Sequence, residues 1–261
     1  STRFIYTLVD EYIENEVNFY FDLDEEQNIF LKNQVSEMVS WHRTNMLPRY
    51  SIYLDNMANM LESGHYSKAD ISIIITNGRS LVKETVDGLT PFASKFLMRH
   101  QNSNAIKFME KKMATRQKTR LAELSVSDTK LFEKRFDRLK SNFKRFFGNL
   151  SNKQMELLRV YSMKTLQDSK IRLNNRAKRQ KVFIDFLRNR PTESELTDYI
   201  NKLLMRGHTI TDPANKDFAE ASIKKFKNLM ANILASSTIN QRETIIKKLR
   251  EYSEDIKNIS L

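Results

Sequence analysis

Glycine and proline are scarce in this chain, and their scarcity limits the folds open to it. Only five glycines and four prolines occur in 261 residues. Tight turns and β-hairpins depend on these residue types, so a fold rich in sheet is disfavoured. Hydrophobic residues make up 40% of the chain, which is enough for a sizeable core. Long helices joined by short polar links fit both observations.

Helical spacing of apolar residues and helix-capping patterns recur along nearly the whole sequence. Asp24 and Gln27 predict a capping box, in which each side chain hydrogen-bonds the backbone of the other residue. Between residues 128 and 147, five apolar residues follow one another at steps of four and three, which is typical of one helix face. We predict an all-α fold of roughly eight to ten helices, packed as antiparallel hairpins in a single domain over residues 1–261.

Two helix boundaries belong to this prediction. A short helix is expected to begin at Thr90-Pro91, because proline suits the first turn of a helix. Ser151, followed by a glutamine three residues later, is expected to begin one long helix that continues to about Asn189.

An internal similarity raises the alternative of two related halves. Segments 21–32 and 148–159 share a leucine, a capping residue, a glutamine and an apolar stripe. The halves would be residues 1–125 and 126–261. Capping boxes also recur independently for physical reasons, so a single undivided domain remains the other interpretation.

Sequence motifs for catalysis, metal binding and membrane insertion are missing. The chain contains no cysteine, which excludes disulfides, thiolate metal sites and a cysteine nucleophile. Its four histidines lie far apart without a zinc-binding spacing, and no glycine-rich phosphate loop or serine-nucleophile elbow is present. The longest apolar run, residues 71–76, is far shorter than the roughly 20 residues of a membrane span. We expect no catalysis, no cofactor and no metal.

Charge is distributed unevenly along the chain. The formal net charge is +12, yet residues 101–190 alone carry 24 Lys and Arg against 8 Asp and Glu. The densest stretch places five cations within ten residues of one predicted helix: Arg172, Arg176, Lys178, Arg179 and Lys181. Such a surface attracts an anionic envelope component, an acidic protein surface or nucleic acid. A solvated helix face that aids solubility is an equally good interpretation.

The segment around the only tryptophan, Trp41, contains a second candidate site. A helix is expected to end here, since a leucine and a proline follow at positions 47 and 48, and the chain to reverse. One interpretation is a helix-hairpin corner, in which Trp41 packs inward and basic side chains cap the C-terminal carbonyls. The other is a polar patch that docks a partner through His42, Arg43, Arg49 and Tyr50.

Motifs at this corner resemble those of a family of uncharacterised proteobacterial lipoproteins. The shared motifs are D-x-x-Q at 24–27, WHR at 41–43 and LP-x-Y at 47–50, with a weaker similarity in NNRAKRQ at 174–180. The resemblance implies a signal peptide and a lipidated cysteine immediately before Ser1, and hence a chain held at a bacterial membrane on its periplasmic side. It implies no activity.

Two functional hypotheses follow from these features. The first is a lipid-anchored periplasmic protein with a binding or scaffold role, whose basic middle region engages an anionic envelope component or an acidic protein surface. The alternative is a cytosolic helical protein that binds nucleic acid through residues 101–190. Polynucleotide binding that weakens steeply with salt would favour the alternative.

Overall fold

The fold is helical throughout the part of the chain that the structure describes. The computed structural model describes residues 2–261, with side chains from residue 4 onward. These residues form no strand, one short 3-10 helix (Gly207–Thr209) and twelve α-helices: α1 (Thr2–Thr7), α2 (Val9–Tyr20), α3 (Glu25–Asn45), α4 (Leu47–Glu62), α5 (Lys68–Arg99), α6 (Ser103–Leu124), α7 (Asp128–Phe147), α8 (Asn152–Lys164), α9 (Asp168–Arg188), α10 (Glu193–Met205), α11 (Ala214–Ala235) and α12 (Ile239–Ser260). The prediction of an all-α fold is confirmed.

Local hydrogen bonds begin the helices where the sequence predicts capping boxes. At the start of α3, Gln27 N–H donates to Asp24 Oδ1 at 2.8 Å, and Asp24 N–H donates to Gln27 Oε1 at 2.9 Å. The same reciprocal box begins α8 at Ser151 and Gln154. Gly148 ends the preceding helix with φ at +76°, a backbone conformation that glycine adopts without strain.

Helix α5 continues through Pro91, so the boundary predicted at Thr90-Pro91 is wrong. Pro91 lies on the exposed side of the helix. The helix is held to its neighbours on both sides of the proline, since Gly88 lies directly against the Trp41 ring and Phe96 belongs to the buried core. These tertiary contacts outweigh the local cost of a proline inside a helix.

The single helix predicted from Ser151 to about Asn189 is also wrong, because a turn separates α8 from α9. Thr165 lies at this turn and is buried. Its hydroxyl donates to the Tyr161 carbonyl at 2.7 Å and accepts from Arg135 Nε at 2.8 Å. A side chain of α7 thus contacts this turn, a contact that no local pattern in the segment could indicate.

Two clusters of buried apolar side chains hold the helices together. The first combines α2, α3, the C-terminal part of α5, α6, α9 and α10, around residues such as Leu31, Leu187 and Leu196. The second combines α4, the start of α5, α7, α8, α11 and α12, around residues such as Leu158 and Ile233. Each cluster draws helices from both sides of residue 125, while the two-halves alternative itself stays a prediction.

A buried serine pair joins α4 to the C-terminal helix α12. Ser51 Oγ and Ser253 Oγ lie 2.8 Å apart, and Ser253 Oγ also donates to the Ser51 carbonyl at 3.1 Å. Such small side chains let the two helices approach closely. Farther along the same contact, Lys257 Nζ lies 3.1 Å from Asp55 Oδ2 at the solvent edge. This pairing places α12 beside α7 and α11, with which it shares the second cluster.

Candidate anion-binding site

The corner between α3 and α4 contains a continuous chain of side-chain hydrogen bonds. His42 Nδ1 lies 3.0 Å from Tyr6 Oη, and His42 Nε2 lies 3.2 Å from Tyr50 Oη. Tyr50 Oη contacts Thr85 Oγ1, whose own proton goes to the Leu81 carbonyl. Tyr50 therefore donates to Thr85 and accepts from His42 Nε2–H, which leaves Nδ1 to accept from Tyr6. This neutral ring agrees with the pKa of His42, which burial lowers.

The two arginines of this corner also face side chains of the protein itself. The Arg43 guanidinium lies over the Tyr6 ring, 5.7 Å from its centroid. Arg49 Nη1 forms an ion pair with Glu84 Oε2 at 2.8 Å. The polar groups of His42 and Tyr50 are likewise used internally. A docking role for these four residues stays a prediction.

Two of the arginines predicted on the basic helix, Arg172 and Arg176, face different neighbours. The Arg172 guanidinium lies over the Phe218 ring of α11, 5.7 Å from its centroid. Arg176 Nη2 donates to Tyr20 Oη of α2 at 3.4 Å and lines an apolar cleft of about 440 Å³. These two cations of α9 thus lie beside separate parts of the molecule.

The other three of the five predicted cations on α9 point toward solvent or toward the loop after α10. Lys178 Nζ lies 3.8 Å from Asp212 Oδ2. The Arg179 stem packs on Gly207, where a β-carbon would lie 2.7 Å from Arg179 Cδ. Lys181 is exposed. Arg172, Arg176 and Arg179 are spaced four and three residues apart and therefore share one side of α9, whereas Lys178 and Lys181 lie on other sides. Binding of nucleic acid by these five residues stays a prediction.

A basic cleft of about 390 Å³ lies at the junction of α7, α8, α9 and α11. Lys134, Arg135 and Arg138 of α7 supply three cations to its wall, and Glu123 supplies an acidic group at its edge. None of these three cations forms an ion pair with any side chain that the structure describes, although ion pairs hold other cations of the basic region. The cleft thus carries net positive charge, which Glu123 in its lining and the buried Asp168 near Arg135 offset only in part. We refer to it as the basic cleft.

Arg135 is the half-buried centre of the basic cleft. Its Nε–H donates to Thr165 Oγ1 at the turn between α8 and α9, which fixes the direction of the guanidinium. Burial lowers the pKa of Arg135. The neighbouring Tyr161 and Asp168 oppose this shift, and the charge of Arg172 reinforces it. Arginine ordinarily keeps its proton far above neutral pH, so the group stays charged.

Neutral hydrogen-bonding groups complete the wall of the basic cleft. Burial raises the pKa of Tyr161, so its hydroxyl keeps its proton and is a donor at neutral pH. Ser169 and Asn142 line the same space. Cations combined with neutral donors in one recess form an arrangement that binds anions through charge-assisted hydrogen bonds.

The sequence indicated only part of this site. It singled out Arg172, whose charge acts on Arg135, but not Arg135, Arg138 or Tyr161. One signal was available: Lys134 and Arg138 are four residues apart in a well-predicted helix and therefore lie on the same side of it. Nothing in the local sequence could show that α8 and α9 would meet this side of α7.

Searches for other kinds of site gave negative results within the described residues. No group of three or more His, Asp or Glu side chains there is arranged to hold a metal ion. None of the helices formed by these residues is both long and apolar enough to cross a membrane.

Comparison with known proteins gave one match. The model of a family of unknown function, DUF6279, matches residues 19–214. No curated protein and no solved structure matches the chain. The matched region includes the corner at α3 and α4 and the walls that α7, α8 and α9 give to the basic cleft.

Proposed function

The chain belongs to the DUF6279 family, whose function is unknown, and we propose that it is a non-catalytic protein that binds a phosphate-bearing anion in the basic cleft. The observation that supports this is the convergence of Lys134, Arg135 and Arg138 in one recess, where none of the three forms an ion pair with a described side chain. Like charges held together repel, and a bound anion relieves that repulsion. Guanidinium groups match phosphate oxygens with parallel hydrogen bonds.

The shape of the site favours a small anionic group over an extended surface. A volume of about 390 Å³ lies within the range of small-ligand pockets. Arg135 is half-buried and already oriented by Thr165, so little conformational entropy is lost when it binds a ligand. A broad acidic protein surface or a polynucleotide would instead contact the exposed cations around α9.

Isothermal titration calorimetry with inorganic pyrophosphate at low salt tests the proposal. The double variant Lys134→Gln, Arg138→Gln removes two cleft cations, both of them exposed. The matched control Lys144→Gln, Arg145→Gln removes the same charge from the same helix outside the cleft, also at exposed positions. We expect the cleft variant to bind at least about tenfold more weakly than the wild type, since one charge-assisted hydrogen bond is worth that much, and the control to bind normally.

Two outcomes would contradict the proposal. One is the absence of measurable pyrophosphate binding, and the other is an equal loss in both variants, which would indicate a diffuse charge effect. A single-stranded RNA titrated in parallel tests the nucleic-acid alternative. RNA binding that weakens steeply with salt and falls equally in both variants would favour that alternative.

We also propose that the protein is lipid-anchored and faces the periplasm, where an anionic envelope component would be its ligand. The similarity of the WHR and LP-x-Y motifs to those of bacterial lipoproteins supports this, and the family membership is compatible with it. The gene sequence upstream of Ser1 tests it. A signal peptide that ends in a lipobox cysteine directly before Ser1 is the expected result, and a different upstream sequence would overturn the anchor.

A further inference from the structure

An apolar groove begins where the basic cleft ends. The groove has a volume of about 590 Å³ and lies between α4, α7, α11 and α12. Leu139, Asn142 and Phe226 line both the basic cleft and this groove. The two spaces therefore adjoin at these three side chains. Taken together as one depression, they have a cationic end and an apolar end. We refer to the second space as the apolar groove.

Aromatic and aliphatic side chains cover the far end of the apolar groove. Phe146 and Tyr252 lie with their ring centroids 5.9 Å apart, and Met230 lines the wall beside them. Phe226, at the junction with the basic cleft, is 42% exposed. Apolar surface of this kind, collected in one groove, is typical of a binding site for an apolar ligand.

The cationic end and the apolar end of the depression are separated by a distance that an extended alkyl chain can span. Arg135 and Phe146 both belong to α7 and are eleven residues apart, which corresponds to roughly 16 Å along the helix axis. A small inorganic anion would occupy only the cationic end. A ligand that uses both ends needs a charged group and an extended apolar part.

We propose that the depression binds a single-chain amphiphile with a phosphate head group. The head binds Arg135 and Arg138 in the basic cleft, and the alkyl chain lies along the apolar groove past Phe226. This inference rests on the proposed function and adds the chemical class of the ligand. The charge at one end distinguishes this occupant from a purely apolar molecule, which would not compensate these arginines.

Calorimetric titration with three probes tests the inference: methyl phosphate, dodecyl phosphate and monododecanoylglycerol, each below the concentration at which it aggregates. Methyl phosphate carries only the head, the glycerol ester carries the chain without a charge, and dodecyl phosphate carries both. Each methylene moved out of water contributes about fourfold to affinity. We therefore expect dodecyl phosphate to bind at least about tenfold more tightly than either of the other two probes.

A pair of exposed apolar positions supplies the variant and its control. Phe226→Gln changes the junction between the two spaces, whereas Leu204→Gln changes an apolar residue of α10 that is 63% exposed and lies in neither space. Phe226→Gln is expected to weaken the binding of dodecyl phosphate several-fold and to affect the binding of methyl phosphate much less. Leu204→Gln is expected to leave both unchanged.

The outcomes separate this inference from the proposed function. If pyrophosphate binds in the basic cleft but dodecyl phosphate binds no better than methyl phosphate, the inference of an amphiphilic ligand is overturned and the proposed anion site stands. If neither pyrophosphate nor dodecyl phosphate binds, the inference and the proposed function are both overturned. If monododecanoylglycerol binds as tightly as dodecyl phosphate, the assignment of the head group to Arg135 and Arg138 is overturned.

Discussion

A buried pair of glutamines joins α8 to α12 and gives the sharpest stability prediction. Gln154 and Gln241 each occupy the N3 position of a capping box, three residues after the N-cap. One box is at the start of α8 and the other at the start of α12. Gln154 Nε2 donates to Gln241 Oε1 at 2.9 Å, and Gln241 Nε2 donates to Gln154 Oε1 at 2.8 Å. The exposed fractions of the two residues are 0% and 6%.

Replacing Gln154 with alanine removes both amide–amide bonds and the bond from Ser151 N–H to Gln154 Oε1. The partner is not left wholly unpaired, because Gln241 still accepts from Thr238 N–H and donates to the Asn149 carbonyl. Each lost bond is worth about 1 kcal/mol net, and the small cavity adds to this. We expect the free energy of unfolding to fall by about 2–4 kcal/mol.

Gln27→Ala is the matched control, since Gln27 occupies the same position in the capping box of α3. Its hydrogen bonds with Asp24 lie at the solvent-exposed surface, where water can replace them. We expect this variant to lose less than about 1 kcal/mol. The difference between the two variants isolates the effect of the buried pair from the effect of capping alone.

Urea unfolding followed by far-UV circular dichroism and by Trp41 fluorescence measures these losses. A double-mutant cycle with Gln154→Ala and Gln241→Ala should give a coupling energy of about 1–2 kcal/mol. The reasoning is refuted if Gln154→Ala and Gln27→Ala cost the same, or if the two substitutions in the cycle are additive.

Three further variants test other contacts by the same unfolding assay. Gly88→Ala should lower the free energy of unfolding by about 1–3 kcal/mol despite the higher helix propensity of alanine, because its β-carbon would lie 1.9 Å from Trp41 Cη2. A gain in stability would contradict this. Arg135→Lys should lose about 1 kcal/mol, since it keeps the charge but not the donor to Thr165, and an unchanged stability would contradict it. Burial lowers the pKa of His100 and of His42, so the unfolded state takes up protons first and the wild type should lose stability as the pH falls below about 6.5. His100→Gln should reduce this dependence and leave the part due to His42, and an unchanged slope would show that His100 does not contribute.

Features of the fold that depend on residues close together in the sequence could be predicted from the sequence. The capping boxes at Asp24 and Ser151 involve partners three residues away, so the pattern of residue types is sufficient to locate them. The absence of strands from the described residues follows from the scarcity of turn-forming residues together with helical spacing. These predictions succeed because each depends on contacts within one or two turns of helix.

Features that depend on distant residues were not predictable in this way. The pairing of Gln154 with Gln241 joins two capping boxes that look alike in sequence to the unpaired box of Gln27. Proline usually begins or ends a helix, yet α5 continues through Pro91 because Gly88 and Phe96 on either side of it contact other helices. In both cases the deciding contact comes from a helix far away along the chain.

The break between α8 and α9 links the failed helix prediction to the candidate site. Tyr161 and Ser169, which line the basic cleft, lie on either side of this break. The turn at Thr165 lies between them, and the Thr165 hydroxyl orients Arg135 of the same cleft. The turn that interrupts the predicted helix is thus also the place where α7 is held to α8 and α9 by Arg135, and the sequence of α8 and α9 alone indicated neither.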